Sequence, residues 1–167
     1  LTSDSLDNIK SHFMYRLAYR NNGTQAAPQE SLIANIPVGS LVPSPHDAIR
    51  WYGFLNSGDS LATPTVFQQS TFDPDATYRW LGSAAMDKDQ NIALGYSKSS
   101  TSVIPAIWIT GRLGTDAVNT MGAEIQMTAG GGVQTAGAGN RWGDYSAMTL
   151  DPVDQCTFYY TNEYLRA

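Results

Sequence analysis

The residue types best suited to chemistry lie in a segment that the sequence contains twice. The first Arg-Trp segment is YRWLGSAAMDKD at 78–89, and the second Arg-Trp segment is NRWGDYSAMTLDP at 140–152. A guanidinium group can hold a carboxylate through two parallel hydrogen bonds, and an indole ring can stack on a ligand. The pattern favours a structural role, in which Arg caps loop carbonyls and stacks on a ring, and leaves ligand binding open. The candidate ligand-binding residues are Arg79, Trp80, Arg141 and Trp142.

A second group has the spacing of the opening of a calcium loop. Asp87, Asp89 and Asn91 stand at alternate positions, as the first ligands of such a loop do. The residues that follow, IALGYS, supply neither the glycine at position six nor the glutamate at position twelve. A tight turn between two strands is therefore the favoured interpretation. No cofactor is expected, and a structural calcium ion at these residues is left as an alternative.

Composition and charge exclude several other classes of function. The formal net charge of −5 argues against a nucleic-acid partner, whose phosphates need a basic surface. No apolar run approaches the roughly 20 residues that a membrane span requires. His12 and His46 stand apart from any set with metal-ligand spacing, so zinc is not expected. The single cysteine, Cys156, is either a small buried apolar residue or bridged to residues outside this chain.

Strand signals dominate the chain, with β-branched and aromatic residues in short runs between turn residues. The pattern predicts an all-β protein and no convincing helix. Charged residues make up only 15% of the chain, against roughly 25% in an average soluble protein, as is common in extracellular β proteins. Ten strands are predicted, at 12–20, 30–38, 48–55, 65–72, 81–87, 91–97, 106–113, 123–129, 144–150 and 156–164.

The strands fall into groups of four that repeat along the chain. At an offset of 58 residues, AIRWYGF at 48–54 aligns with AIWITGR at 106–112, and FQQST aligns with IQMTA. A four-stranded group that restarts with a period near 60 residues is typical of a β-propeller. We predict one all-β domain over 1–167, with blades at about 12–72, 81–129 and 144–164. The alternative is a self-contained β-sandwich.

The predicted propeller is incomplete, because two and a half blades cannot close a ring of four to eight. We therefore expect this chain to be the C-terminal part of a larger propeller, with the N-terminal remainder as its first partner. The small residues after each Arg-Trp pair suit the crowded first strand of a blade. Trp80 and Trp142, just ahead of these strands, are expected to wedge between blades.

The two Arg-Trp segments, together with MYRLAYRN and AIRWYGF, resemble a group of secreted bacterial β-propeller proteins of unknown function that are described loosely as sialidase-like. The resemblance implies a secreted or cell-surface location and a C-terminal position in a longer chain. It implies no established activity. The Asp boxes of the wider sialidase family are absent, since DKDQNIAL keeps only the central Asp89.

Sialidase-type catalysis needs three arginines for a carboxylate, a Tyr-Glu nucleophile pair and an aspartic acid as acid/base. The weak catalytic candidates of these types are Asp144, Tyr145 and Glu163, with Arg16 and Arg50 as further arginines beside Arg79 and Arg141. No carboxylate pair has the sequence context of a retaining or inverting glycosidase. We therefore favour a binding or scaffold module for a glycan or a protein. A sialidase-like glycosidase whose site is shared with missing blades, and a subunit of an extracellular assembly, are the alternatives.

Overall fold

The computed structural model describes residues 6–9, 12–14, 17–24, 27, 29–56, 63–134 and 141–166. Its regular elements are ten β-strands in three antiparallel sheets, and the residues described contain no α-helix. Among these residues there is accordingly no helix of the length and apolar character that a membrane span requires. The all-β prediction is confirmed.

The first sheet contains four strands that pair in the order of the sequence. Its longest strands are joined by a short hairpin in which Ser40 is opposite His46. A bulge between Gly53 and Phe54 shifts the register of the last pair. The strands are β1 (Ala18–Asn21), β2 (Glu30–Ser40), β3 (His46–Asn56) and β4 (Thr65–Phe72).

The second sheet repeats this order with four strands, β5 (Tyr78–Met86), β6 (Ile92–Ser99), β7 (Ala106–Arg112) and β8 (Ile125–Thr128). Nearly every residue of β5 and β6 is buried. Successive side chains of a strand point to opposite faces, so one face of these two strands receives the larger residues and the other receives the small ones. The larger set is Met86, Ile92, Leu94 and Tyr96, and the small set is Ser83, Ala85, Ala93, Gly95 and Ser97.

The third sheet has two strands, β9 (Ala147–Leu150) and β10 (Phe158–Thr161). After β10 the chain leaves the sheet, and the carbonyl of Leu165 accepts a hydrogen bond from the amide of Gly131 at 2.8 Å. In the part of the chain that the structure describes, no strand pairs with the outer edge of β10.

The second sheet lies between the other two. Its larger residues pack against Ile33, Ile49 and Trp51 of the first sheet. Its small residues receive Met148, Phe158 and Tyr160 of the third sheet. Because both faces are covered, β5 and β6 are buried except at Tyr78 and Ser99, the residues at one end of the pair.

All ten predicted strands are present, and they form sheets of four, four and two strands. Several bounds differ from those predicted. The strand predicted at 144–150 begins at Ala147, because Gly143 and Asp144 have φ angles of 58° and 57° and cannot continue an extended strand. The strand predicted at 12–20 is observed only as Ala18–Asn21, and part of the predicted range lies outside the described residues.

Candidate functional site

A concave surface lies beside the third sheet, at the start of β9 and the end of β10. Ala147 is opposite Thr161 in the antiparallel register, so the residues before β9 and those after β10 meet at the same end of the sheet. Together they form a cleft of about 300 Å³ that is open to solvent. We call it the β9–β10 cleft; it is lined by Gly143, Tyr145, Ser146, Ala147, Thr161, Asn162 and Glu163.

The backbone before β9 determines which side chains face the cleft. Gly143 and Asp144 both have left-handed φ angles, and the amides of Asp144 and Tyr145 donate to carbonyls two residues earlier, both at 2.6 Å. The turn leaves the Tyr145 ring 63% exposed. It also directs the next residue inward, where the buried Ser146 hydroxyl donates to the carbonyl of Leu81 at 2.7 Å. The cleft therefore has one exposed aromatic ring.

The far side of the cleft is held by hydrogen bonds to the second sheet. Asn162 donates through its Nδ2 to the Tyr160 hydroxyl at 2.8 Å and to the Ser97 Oγ at 3.1 Å. The Trp142 indole also donates to Ser97 Oγ, at 3.3 Å. The next residue, Glu163, is exposed and borders the cleft near Gly143. The floor is thus rigidly supported, whereas the side chains at the rim are accessible.

Asp144 is committed to an ion pair at the edge of the cleft. Arg141 Nε donates to Asp144 Oδ1 at 2.8 Å, and Arg141 Nη2 donates to Oδ2. This hydrogen-bonded ion pair holds the pKa of Asp144 below its ordinary value. Asp144 is therefore ionised at neutral pH and does not have the raised pKa that a general acid needs. Among the candidate catalytic residues, Tyr145 and Glu163 line the cleft and Asp144 is adjacent to it.

Arg79, the other arginine of the repeat, lies in a different environment. It is completely buried, and all five of its N–H groups donate to protein acceptors. Nε and Nη2 bind the two Glu124 oxygens at 3.0 and 2.8 Å, Nη2 also binds Asp75 at 2.9 Å, and Nη1 binds the carbonyls of Asp75 and Thr77. This geometry favours the structural role, because no N–H group is left for a ligand.

Glu124 is the centre of that network and was not recognised in the sequence. Besides Arg79, its carboxylate accepts hydrogen bonds from the Tyr96 hydroxyl at 2.7 Å and from Lys98 Nζ. Burial raises the pKa of Glu124, but the hydrogen bonds from Arg79, Lys98 and Tyr96 outweigh it and the net shift is downward. Burial and the Glu124 carboxylate both raise the pKa of Tyr96. No local pattern marks Glu124, since it stands in the connection before β8, 45 residues from Arg79.

The two tryptophans pack against each other instead of facing solvent. Trp80 and Trp142 are buried, with ring centroids 6.5 Å apart and planes at 65°. They share an apolar cluster with Met14 and Leu81. This packing leaves neither ring open for stacking on a ligand.

The residues with calcium-loop spacing form a strand-to-strand turn. Asp87 Oδ1 accepts the amides of Asp89 and Asn91, both at 2.8 Å, and Asp87 Oδ2 accepts Asn91 Nδ2 at 2.7 Å. Asn91 Oδ1 accepts the amide of Gly114 at 2.9 Å. The oxygens of Asp87 and Asn91 thus already have protein donors, as in the favoured interpretation.

Cys156 lies at the same place, because the β9–β10 turn docks on the β5–β6 turn. Its thiol donates to Asp89 Oδ2 at 3.5 Å, and ligand atoms of Asp87, Asp89 and Cys156 lie within 4.8 Å of one another. A soft thiol with two hard carboxylates is not a typical calcium set. The cysteine is a free thiol, partly exposed.

Three of the four arginines proposed for a carboxylate ligand are described, and each has its own protein partner. Arg50, on β3, donates to Gln69 at 2.6 Å and to Thr71 at 3.2 Å, while Arg79 and Arg141 bind the carboxylates described above. Arg16 lies outside the described residues. In comparisons with family models, with curated proteins and with solved structures, no match to this chain was found.

Proposed function

We propose that this chain is a secreted or cell-surface binding module of β-propeller type, and that the β9–β10 cleft binds a glycan. The observation that carries the proposal is the exposed ring of Tyr145 beside the hydroxyl group of Thr161 and the carboxylate group of Glu163. An aromatic face takes the apolar side of a sugar ring, and a few fixed polar groups orient its hydroxyls.

The propeller interpretation is supported by equivalent backbone features in the repeated segments. Leu81 and Gly143, each directly after an Arg-Trp pair, have φ angles of 50° and 58°. Gln90 and Gln155, in the first turn of each group, have φ angles of 66° and 59°. The first strand of the second sheet, β5, also contacts both β1 and β9. An experimental structure in which the three sheets rotate in one sense about a common axis supports a propeller, whereas two sheets closed on one core support the sandwich.

Glycan binding is tested with a glycan array followed by calorimetric titration of the best ligand. We expect Tyr145→Ala to weaken binding about tenfold, corresponding to about 1.4 kcal/mol, and Tyr145→Phe to retain most of the affinity. Tyr159→Ala is the matched control, because Tyr159 is an exposed tyrosine of the same sheet that does not line the cleft. Binding that is unchanged in Tyr145→Ala, or absent for every glycan, contradicts the proposal.

A glycoside hydrolase is the second candidate, because the hydroxyl of Tyr145 and the carboxylate of Glu163 line the same cleft. Turnover of a panel of chromogenic glycosides that disappears in Glu163→Gln, with ligand binding retained, supports catalysis. Turnover that persists in this variant assigns the activity to other residues. The absence of turnover together with glycan binding leaves the binding module as the function.

A subunit of an extracellular assembly is the third candidate. Its support is the outer edge of β10, which has no neighbouring strand in the described chain although β2 and β6 each have strands on both sides. Strand addition from an N-terminal remainder of the propeller would use this edge. Reproducible co-purification of such a fragment with the purified chain supports the assembly, and its consistent absence contradicts it.

A further inference from the structure

The inference concerns His46, which lies at the junction of the first two sheets, away from the β9–β10 cleft. His46 is the first residue of β3, and its side chain has no exposed surface. Its Nδ1 is 2.6 Å from the carbonyl oxygen of Ser44, and its Nε2 is 2.5 Å from Asp73 Oδ1. Both ring nitrogens therefore face hydrogen-bond acceptors.

The two contacts define the charge state of the ring. A neutral imidazole carries one N–H group and can donate only one hydrogen bond, whereas the imidazolium ion carries two. With one proton removed, a nitrogen lone pair would face either the Ser44 carbonyl or the Asp73 carboxylate. A buried contact between two acceptors is unfavourable, so the observed geometry requires protonated His46.

The protonated ring connects three parts of the chain. Ser44 belongs to the β2–β3 loop, residues 41–45, and Asp73 belongs to the connection from β4 to β5. The Tyr78 ring, on β5, packs edge-on against His46 at 6.3 Å between centroids, and its hydroxyl donates to the carbonyl of Pro45 at 3.0 Å. The loop is thus tied down at Ser44 and Pro45, while its neighbours Leu41 and Val42 are 78% and 76% exposed.

The groups around His46 shift the pKa of its ring in opposite directions. Burial lowers the pKa of His46, the hydrogen bonds to Asp73 and to the Ser44 carbonyl raise it, and the charge of Arg79 lowers it; the net shift is upward. Asp47 is the next residue on β3, and Asp75 is held in an ion pair with Arg79. Asp73 is therefore the group whose removal changes the ring most directly.

We propose that His46 is a pH-sensitive latch, which fastens the β2–β3 loop across the junction of the first two sheets while the ring is protonated and releases it when the proton is lost. Because the folded-state pKa lies above the ordinary value of 6.5, the stabilisation is complete below pH 6.5. It is lost as the pH rises through the folded-state pKa. The β2–β3 loop is therefore held at acidic pH and released towards alkaline pH.

The test combines two measurements on the intact chain between about pH 5 and about pH 9, the range in which a histidine titrates. Nuclear magnetic resonance follows the ring protons of His46 and His12, and amide hydrogen exchange gives protection factors for Val42 and Ser44. We expect His46 to titrate above the ordinary histidine pKa of 6.5. The protection of both loop amides should fall with the same midpoint as His46.

Two variants distinguish a latch from a ring that only titrates. Asp73→Asn keeps the shape of the acceptor without its charge, and we expect it to lower the His46 midpoint by about one pH unit or more and to move loop opening with it. His12→Gln is the matched control and should leave both midpoints unchanged. A His46 midpoint at or below the ordinary pKa of 6.5, or loop protection that does not follow the His46 titration, overturns the proposal.

Discussion

The two Arg-Trp segments have nearly the same sequence but use their arginines in opposite ways. Arg79 is completely buried and binds Glu124 and Asp75, whereas the Arg141 side chain is 60% exposed and binds Asp144, three residues away. The tryptophans, in contrast, are both buried and contact each other. The apolar residue of the repeat therefore keeps its role, while the role of the charged residue depends on what surrounds it.

The difference follows from the neighbours of each sheet. Glu124 precedes β8, the fourth strand of the second sheet, and the described part of the third sheet contains no such strand. At the 62-residue offset of the two segments, Asp144 takes the place of Gly82. A Cβ atom at Gly82 would lie 2.9 Å from Asn35 Nδ2 and 3.0 Å from Ile49 Cδ1 in the first sheet. The Asp144 side chain is instead 28% exposed, so an aspartate fits at this position and supplies a local partner for Arg141.

The largest expected effect comes from replacing each arginine by methionine. Arg79→Met leaves the largely buried Glu124 carboxylate without its main partner, so we expect it to lower the free energy of unfolding by about 3 to 5 kcal/mol. Arg141→Met removes an exposed ion pair and should leave the unfolding midpoint unchanged within error. Urea unfolding measures both. Equal losses of unfolding free energy in the two variants would show that the two arginines contribute equally to stability.

Substitutions on the small-residue face of the second sheet should lower stability almost as much as Arg79→Met. A Cβ atom at Gly95 would lie 2.6 Å from the Tyr160 ring of the third sheet, so Gly95→Ala should cost about 1 to 3 kcal/mol. Gly39→Ala is the control, because nothing lies within 4 Å of the added atom. In a Tyr160→Leu background, the cost of Gly95→Ala should fall. A cost that stays the same in that background would place the strain elsewhere.

The two tryptophans differ in the hydrogen bonding of their indole N–H groups. Trp142 Nε1 donates to Ser97, whereas the buried Trp80 Nε1 has no hydrogen-bond partner in the described structure. Both Trp→Phe substitutions remove ring volume, and only Trp142→Phe also removes a hydrogen bond. We expect Trp142→Phe to be the more destabilising by about 1 kcal/mol. Thermal unfolding monitored by fluorescence provides the comparison, and the reverse order would contradict it.

The smallest expected effect concerns the acid dependence of stability. The pKa of Glu124 in the folded state is below its ordinary value of 4.5, so its contribution is present above pH 4.5 and is lost as the pH falls through the folded-state value. Glu124→Gln should therefore flatten the plot of unfolding free energy against pH below that point. Asp144→Asn should change the slope much less, because solvent screens the exposed pair with Arg141. Similar slopes of unfolding free energy against pH in the two variants would contradict the expected difference between a buried and an exposed ion pair.

Much of the fold could be predicted because the signals that specify it are local. Strand alternation is a property of neighbouring residues, and the small residues of 82–85 indicate a crowded strand without any knowledge of its packing partner. The turn at Asp87 was also predicted correctly, since its carboxylate binds amides two and four residues ahead. The bounds were less accurate where a left-handed residue such as Asp144 interrupts an otherwise extended pattern.

The candidate site was predicted only in part. Tyr145 and Glu163 do line one cleft, as two of the catalytic candidates, because an antiparallel pair brings the start of β9 to the end of β10. Arg79 has no N–H group left for a ligand, and the sequence could not show this. Its partner Glu124 belongs to a distant connection whose position depends on the pairing of β7 with β8.

By itself, the sequence determined the ten strands, their grouping and the repeat, since period-two alternation and turn residues act between near neighbours along the chain. Only the tertiary structure decided which charged groups are buried together, as with Arg79 and Glu124 or His46 and Asp73. The physical reason is that the energy of a charge depends on burial and on its partners. Both are set by how strands far apart in the sequence pair and how their sheets stack.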